Sequence, residues 1–318
     1  MNDITIGRRN LLKFLSASAG LAVLPGFVKS MPVSRADKNF IYCLNTATIR
    51  EQNLGLIGEL EVASTAGFEG VEIWMDTLQA YIDKGGKLPD LRKRLNDLNL
   101  KVEGAIGFAA WIVDDDTQRK QAIEQLKKEM DLLAQIGCKR TAAPPAGATD
   151  QPGLDLRKAA ERYRAILELG DNTGVVPHLE LWGFSANLNK LSDVMFVAIE
   201  SGHPSAKVLL DNYHLYKGGS SLETLKLINP LSTELLHVND YPANMPRNTI
   251  TDADRTYPGD GVSLIREVLH TLQSPSRPLV ISLEVFNKNY YSQKASEVTK
   301  TGLAKMKKVT QDVTKMDR

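Results

Sequence analysis

Two rhythms of apolar and polar positions alternate along most of this chain. From Phe40 onward, short runs rich in Val, Ile and Leu are separated by longer segments whose apolar residues recur at helical spacing. The first pattern predicts a strand buried on both faces and the second an amphipathic helix. Strands are expected in FIYCLNTATI from Phe40, GVEIWM from Gly70, KVEGAIGF from Lys101, RTAAPPAG from Arg140, VVPHLELWG from Val175, AKVLLDNYH from Ala206, ELLHVNDYP from Glu234 and PLVISLEVFN from Pro278. Helices are expected from Leu56, from Leu88, over Thr117–Ile136 with Gly137 as the stop, from Leu154, from Asn187, over SLETLKLI, from Val262 and through the Lys-rich C-terminal run.

That is eight strand–helix units without a long linker. Repeated alternation of this kind means parallel strands joined by right-handed crossovers. Eight units favour an α/β fold of the closed (β/α)8 TIM-barrel type over an open sheet. An open dinucleotide-binding sheet would carry a Gly-rich turn after its first strand, and Asn45-Thr46-Ala47-Thr48 is not one. P-loop, G-x-S-x-G and Cys-x-x-Cys motifs are absent from the sequence.

Length and charge agree with this reading. The 318 residues suit one barrel with extras. Lys and Arg number 39 against 38 Asp and Glu, a balance with no basic excess to suggest nucleic acid. Cys43 and Cys138 have no motif spacing and fall on distant elements, so two free buried thiols are expected. The first residues break the pattern. Gly7-Arg8-Arg9-Asn10-Leu11-Leu12-Lys13 resembles a twin-arginine export signal, followed by the weakly apolar stretch Phe14–Val28 and by Lys29. Residues 1–36 are therefore expected to be a signal and linker, residues 37–318 the barrel, the export machinery a partner, and the periplasm the destination.

Four of the predicted strands share a further feature. Near their C-terminal ends stand Glu180, Asp211, His237 and Glu284. A carboxylate in an apolar strand is costly unless a charge partner or a metal compensates it. Barrel enzymes work at the C-terminal rim of the strands, and neighbouring strands lie about 4.8 Å apart, so four consecutive strand ends can surround one cation. Three carboxylates and one imidazole favour Mn²⁺ or Mg²⁺, with Zn²⁺ or Co²⁺ also compatible.

The motifs that carry these residues are LEL at Glu180, D-x-x-H at Asp211 and His214, H-x-x-D at His237 and Asp240, PGDG at Pro258–Gly261 and LEVF at Glu284. In this order they resemble the sugar phosphate isomerase/epimerase family. These are the xylose isomerase-like barrels, which include ketose 3-epimerases, hydroxypyruvate isomerase and inosose dehydratases. The resemblance runs from about Phe40 to the last helix. It implies that Glu180, Asp211, His237 and Glu284 bind one divalent metal, that Glu180 and Glu284 act as acid and base on opposite faces of a sugar carbon, and that His214 contacts a substrate oxygen. An arginine usually follows the strand-seven histidine in the epimerases. The loop differs here, and Arg247 or Arg255 is available for that role.

Further substrate contacts are expected from Glu72, beside Trp74 on strand two, from Asp240 as a contact or loop-orienting group, and from Trp182, whose face suits sugar C–H groups. Trp74, Trp111, Tyr213 and Phe286 are other aromatic residues near strand ends. The expected activity is isomerisation or epimerisation of a small sugar or polyol through a metal-stabilised enediolate. The alternatives are a lyase, of inosose-dehydratase or keto-glycoside-cleaving type, on the same site, and a non-catalytic sugar-binding barrel. An abasic-site endonuclease would need histidine ligands in the early strands, and all five histidines lie at or after His178. Dimers and tetramers are common in the family that the chain resembles. An exported enzyme would meet free sugars or glycosides rather than sugar phosphates.

Overall fold

The computed structural model describes residues 39–316, so the expected export signal lies outside the described residues. Eight short apolar runs form strands β1 (Phe40–Asn45), β2 (Gly70–Trp74), β3 (Lys101–Ile106), β4 (Arg140–Ala143), β5 (Val176–Glu180), β6 (Val208–Asp211), β7 (Leu235–Val238) and β8 (Leu279–Leu283). All pairings are parallel and follow the order β3-β2-β1-β8-β7-β6-β5-β4. Because β1 pairs with both β2 and β8, the sheet curls into a nearly closed barrel whose ends are β3 and β4. Side chains join that seam. Arg140 Nη1 donates to the Glu103 carbonyl at 2.8 Å and Thr141 Oγ1 to the Ala105 carbonyl at 3.3 Å. Carbonyls that would otherwise lack a ladder partner are satisfied this way.

Helices wrap the barrel as α1 (Gly55–Ala66), α2 (Met75–Asp83), α3 (Leu88–Asp97), α4 (Asp116–Gln135), α5 (Leu156–Thr173), α6 (Leu191–Glu200), α7 (Asn212–Gly218), α8 (Leu222–Leu225), α9 (Ile265–Leu272), α10 (Lys288–Tyr291) and α11 (Ala295–Met316). Local chemistry sets several of these limits. The Asp115 carboxylate caps α4 by accepting from Gln118 N at 2.7 Å. Asp155 caps α5, and Gly174 (φ +73°) takes the left-handed turn that ends it. α2 is an addition to the expected elements. Strand six is shorter than expected: it stops at Asp211, whose Oδ1 accepts from His214 N at 3.0 Å and so starts α7. Asn212, Tyr213 and His214 are thus helical.

Two apolar layers result. The larger lies between barrel and helices, and it includes Leu44, Leu60, Met130, Leu179, Ile281 and Val309. The smaller fills the barrel itself with Ile41, Cys43, Ile106, Ala142, Leu209, Leu235 and Val280. Below this plug, at the N-terminal end, Arg140 bridges Glu103 and Glu234, at 3.0 Å to each. Both cysteines are free and buried. Trp111, grouped with the strand-end aromatics from sequence, is a core residue whose indole donates to the Pro144 carbonyl at 2.8 Å.

One buried carboxyl outside the barrel makes the fold's stability depend on pH. Glu59 of α1 is 3% exposed, and its Oε2 has no hydrogen-bond partner. Burial pushes its pKa up from 4.5 to about 7, with Thr46 and Arg50 opposing the rise. The folded state therefore holds this proton more tightly than the unfolded chain. Stability from this group is fully present below pH 4.5 and is lost as pH rises toward 7. Glu59→Gln removes the titration. Relative to wild type, it should gain about 2 kcal/mol between pH 5 and pH 8 in urea unfolding. An identical effect at both pH values would refute the assignment.

Candidate functional site

The site grows from the rule that a strand's last side chains reach the rim. Glu180 and Asp211 end β5 and β6, His237 is the penultimate residue of β7, and Glu284 follows the end of β8. Registers Asp211↔His237 and His237↔Ser282 set Asp211 and His237 at one height on adjacent strands, with Glu284 two residues beyond Ser282. All four are buried. His237 Nδ1 faces Glu284 Oε2 at 3.2 Å, Asp211 Oδ2 at 3.7 Å and Glu180 Oε1 at 3.9 Å. Ligand atoms of Asp211, His237 and Glu284 lie within 4.8 Å of one another, with Glu180 at the edge of that group.

Glu72 fixes the imidazole from behind. Its Oε2 lies 2.9 Å from His237 Nε2 and also accepts from Asn45 Nδ2 at 3.0 Å and Ser282 Oγ at 2.8 Å. Expected as a substrate contact, Glu72 is 1% exposed and is committed to these three neighbours. A carboxylate on one imidazole nitrogen orients the ring and leaves the other nitrogen for a ligand. That other nitrogen, Nδ1, is buried without a well-directed hydrogen bond, and so is Glu180 Oε2. Two orphaned donor atoms among three inward carboxylates fit a divalent cation.

Arg255 supplies fixed positive charge. It is 1% exposed, and its Nη1 donates to Asp211 Oδ2 at 2.9 Å and to Glu284 Oε2 at 2.7 Å. Its Nη2 pairs with Asp252 and lies 3.2 Å from His214 Nε2. The guanidinium also stacks over Tyr213, 4.4 Å from the ring centroid, and over Phe286 at 5.1 Å. Of the two arginines available from sequence, Arg255 enters the cluster and Arg247 stays exposed on the loop after β7.

Asp240 takes a different place from a substrate contact. Its carboxylate accepts from the amides of Tyr241 and Ser263 at 2.8 Å each and from Gly259 at 3.0 Å. It ties the PGDG turn to the end of β7. Trp182 belongs to an arc of rings at the mouth: Phe286, Trp74, Phe108, Trp182, Phe184 and His214, with successive centroids 5.1 to 6.3 Å apart. Sequence reasoning missed Asn45 and Asn239. Asn45 Nδ2 bridges Glu72 and Glu284, the latter at 2.9 Å, and Asn239 Nδ2 donates to both oxygens of Asp211 at 3.2 and 3.1 Å. The signal that marked the acids, a polar residue closing an apolar strand, was present in both.

The electrostatics divide the acids. Burial pushes Glu180 up to about 8, only partly offset by His237. Burial also acts upward on Glu284, but His237 and Arg255 outweigh it and hold the carboxyl well below its ordinary value. Burial would lower His237, yet Glu284 and Glu72 together hold it well above its ordinary value. His214 is pushed down to about 4 by burial, with Arg255 adding to the effect and Asp211 opposing it.

Comparison with known proteins identifies the family. The chain belongs to the xylose isomerase-like TIM barrel family, whose model matches residues 60–309. It is 26% identical over 264 residues to an inosose isomerase of Bacillus velezensis, covering 81% of this chain and 93% of that protein. It is 27% identical over 276 residues to the inosose isomerase of Bacillus subtilis, covering 85% and 96%. Among solved structures, the IOLI protein with a bound zinc atom is similar at a TM-score of 0.78 and 25% identity, covering 86% of this chain and 97% of that one.

A cation bound here should stabilise the folded state by mass action. At a thousand times its Kd the gain is about 4 kcal/mol, which corresponds to a rise in melting temperature of roughly 10 °C. Asp211→Asn keeps an acceptor for the α7 cap but removes a ligand charge, so the rise on adding Mn²⁺ or Zn²⁺ should vanish. An equal rise in wild type and variant would place the ion elsewhere.

Proposed function

We propose that the protein is a divalent-metal-dependent isomerase or epimerase that moves a proton next to the carbonyl of a sugar or polyol. One observation carries this reading: Glu180 and Glu284 face the same imidazole in unequal surroundings, Glu284 held by Arg255 and Asn45 and Glu180 with an oxygen that no protein group satisfies. Proton transfer at carbon needs one group ready to accept and one ready to donate. Paired carboxyls with separated affinities meet that need. Glu284 is the ionised member, and Asn45 Nδ2 on its Oε1 and Arg255 Nη1 on its Oε2 fix its orientation. Glu180, pushed up by burial, is the member that more readily takes up a proton, and its Oε2 has no partner within the protein.

Glu180, Asp211, His237 and Glu284 would hold the cation, and a bound cation would supply positive charge to the carbonyl and neighbouring hydroxyl oxygens as the carbon is deprotonated. Three carboxylates and one imidazole favour Mn²⁺ or Mg²⁺, while the zinc in the IOLI structure supports Zn²⁺. His214 Nδ1, buried and unpartnered, is the donor or acceptor best placed for a substrate hydroxyl. The inosose isomerase relatives support isomerisation of a polyhydroxylated ring ketone. The twin-arginine-like start would place this activity in the periplasm.

The test is solvent exchange. The metal-loaded protein in D₂O, offered ketoses, keto-glycosides and inososes, should bring deuterium into the position beside the carbonyl. Glu284→Gln and Glu180→Gln should each slow this by roughly a hundredfold or more. Bound metal without exchange on any of these ligands would overturn the enzymatic reading.

A further inference from the structure

A second concavity opens at the C-terminal rim, beside the carboxylate cluster. It measures about 800 Å³ and lies between the loop after β5, the end of α7 and the loop after β7. Lys190, Lys217 and Arg247 line it, and no carboxylate does. Elsewhere on the surface several arginines find acids: Arg50 with Asp76, Arg94 with Glu61, Arg157 with Glu200, Arg162 with Asp114 and Arg266 with Asp312. Among the described residues Lys190 and Arg247 have no such partner.

The cations are placed by the fold. Lys217 Nζ donates to the Ile250 carbonyl at 2.7 Å, which pins the ammonium while leaving its charge uncompensated. The Arg247 guanidinium lies over Gly219, where an added Cβ would collide with it. Gly219 is left-handed (φ +84°) as the cap of α7, so glycine both ends the helix and makes room for the guanidinium. Gly183 is likewise required, since a Cβ there would strike the His214 carbonyl and the Gly218 amide. The floor of the groove is therefore close-packed backbone.

The rings of Phe184 and His214 stand between this groove and the cluster. Phe184 lines the groove, and its ring lies 5.6 Å from that of His214, which contacts Arg255. Three like charges in one concavity repel each other and focus a positive field into it. A guanidinium fork recognises planar oxyanions, and two ammonium groups add unspecific attraction.

We propose that this groove is an oxyanion subsite, and that the substrate is an acidic sugar or polyol whose carboxylate or phosphate binds there while its carbonyl faces Glu180 and Glu284. That the anion belongs to the substrate rests on the isomerase reading. The groove's affinity for anions does not.

Calorimetric titration of the full chain with inorganic phosphate at low ionic strength tests the subsite without turnover. One phosphate should bind per chain, weakening roughly tenfold in Arg247→Ala and further in the double variant with Lys190→Ala. Both side chains are exposed, so neither change threatens the fold. Glucuronate and glucose 6-phosphate should displace phosphate in competition, and the tighter of the two identifies a sugar acid or a phosphate ester as the source of the oxyanion. Three results would overturn the proposal: no phosphate binding, binding unchanged in the double variant, or displacement by glucose as effective as by the acidic sugars. Deuterium exchange with normal rates but no phosphate binding would leave the isomerase reading standing and remove the subsite alone.

Discussion

Everything at this barrel's mouth depends on how the imidazole of His237 is held. Four carboxylates, from Glu72, Glu180, Asp211 and Glu284, surround it, none more than 5% exposed. Buried acids at such spacing are tolerated only if positive charge or protons offset them. Glu72 takes one nitrogen, which fixes the ring plane, and the other nitrogen is thereby aimed at the remaining three acids. Rotate the ring and the convergence of Asp211, His237 and Glu284 is lost. Asn45 and Ser282 serve the same end by fixing Glu72.

The two glutamates differ because Arg255 is one-sided. It reaches Asp211 and Glu284, and no contact joins it to Glu180. Glu180 therefore feels burial with little compensation, while Glu284 is stabilised as an anion by both cations. A symmetric cluster would leave two equivalent carboxyls and no assigned direction for a proton. The asymmetry comes from the loop after β7. Asp240 anchors that loop through three backbone amides, and Asp252 steadies the far side of the guanidinium.

Much of this was legible in the sequence, for a physical reason. Charged residues at the ends of apolar strands stand out because burial makes them expensive, so Glu180, Asp211, His237 and Glu284 could be singled out along with the eight-unit barrel. Asn45 and Asn239 close their strands in the same way, but a neutral amide carries no charge debt and attracted no attention. Glu72 was visible as a strand acid, yet spacing could not tell the mouth from the space behind His237. That distinction depends on β2 bringing Glu72 to His237 of β7 and Ser282 of β8 inside the barrel. The choice between Arg247 and Arg255 was also tertiary, since both sit on one irregular loop and only the fold shows which is drawn inside.

That loop gives the mouth two faces of opposite charge. Arg255, drawn inward, is consumed by Asp211, Glu284 and Asp252, whereas Arg247 is left facing the groove with Lys190 and Lys217. A substrate bearing an anion would be repelled by the bare carboxylate cluster and attracted by the groove. The two forces orient it the same way, with the anion outward and the carbonyl toward Glu180. Coulomb repulsion inside a low-dielectric mouth is much stronger than in water, so productive docking requires the cluster's negative charge to be offset before the substrate arrives. If the cluster holds a cation and the groove an oxyanion, as proposed, the cation would bind first and the acidic substrate second, an order that a neutral substrate would not impose.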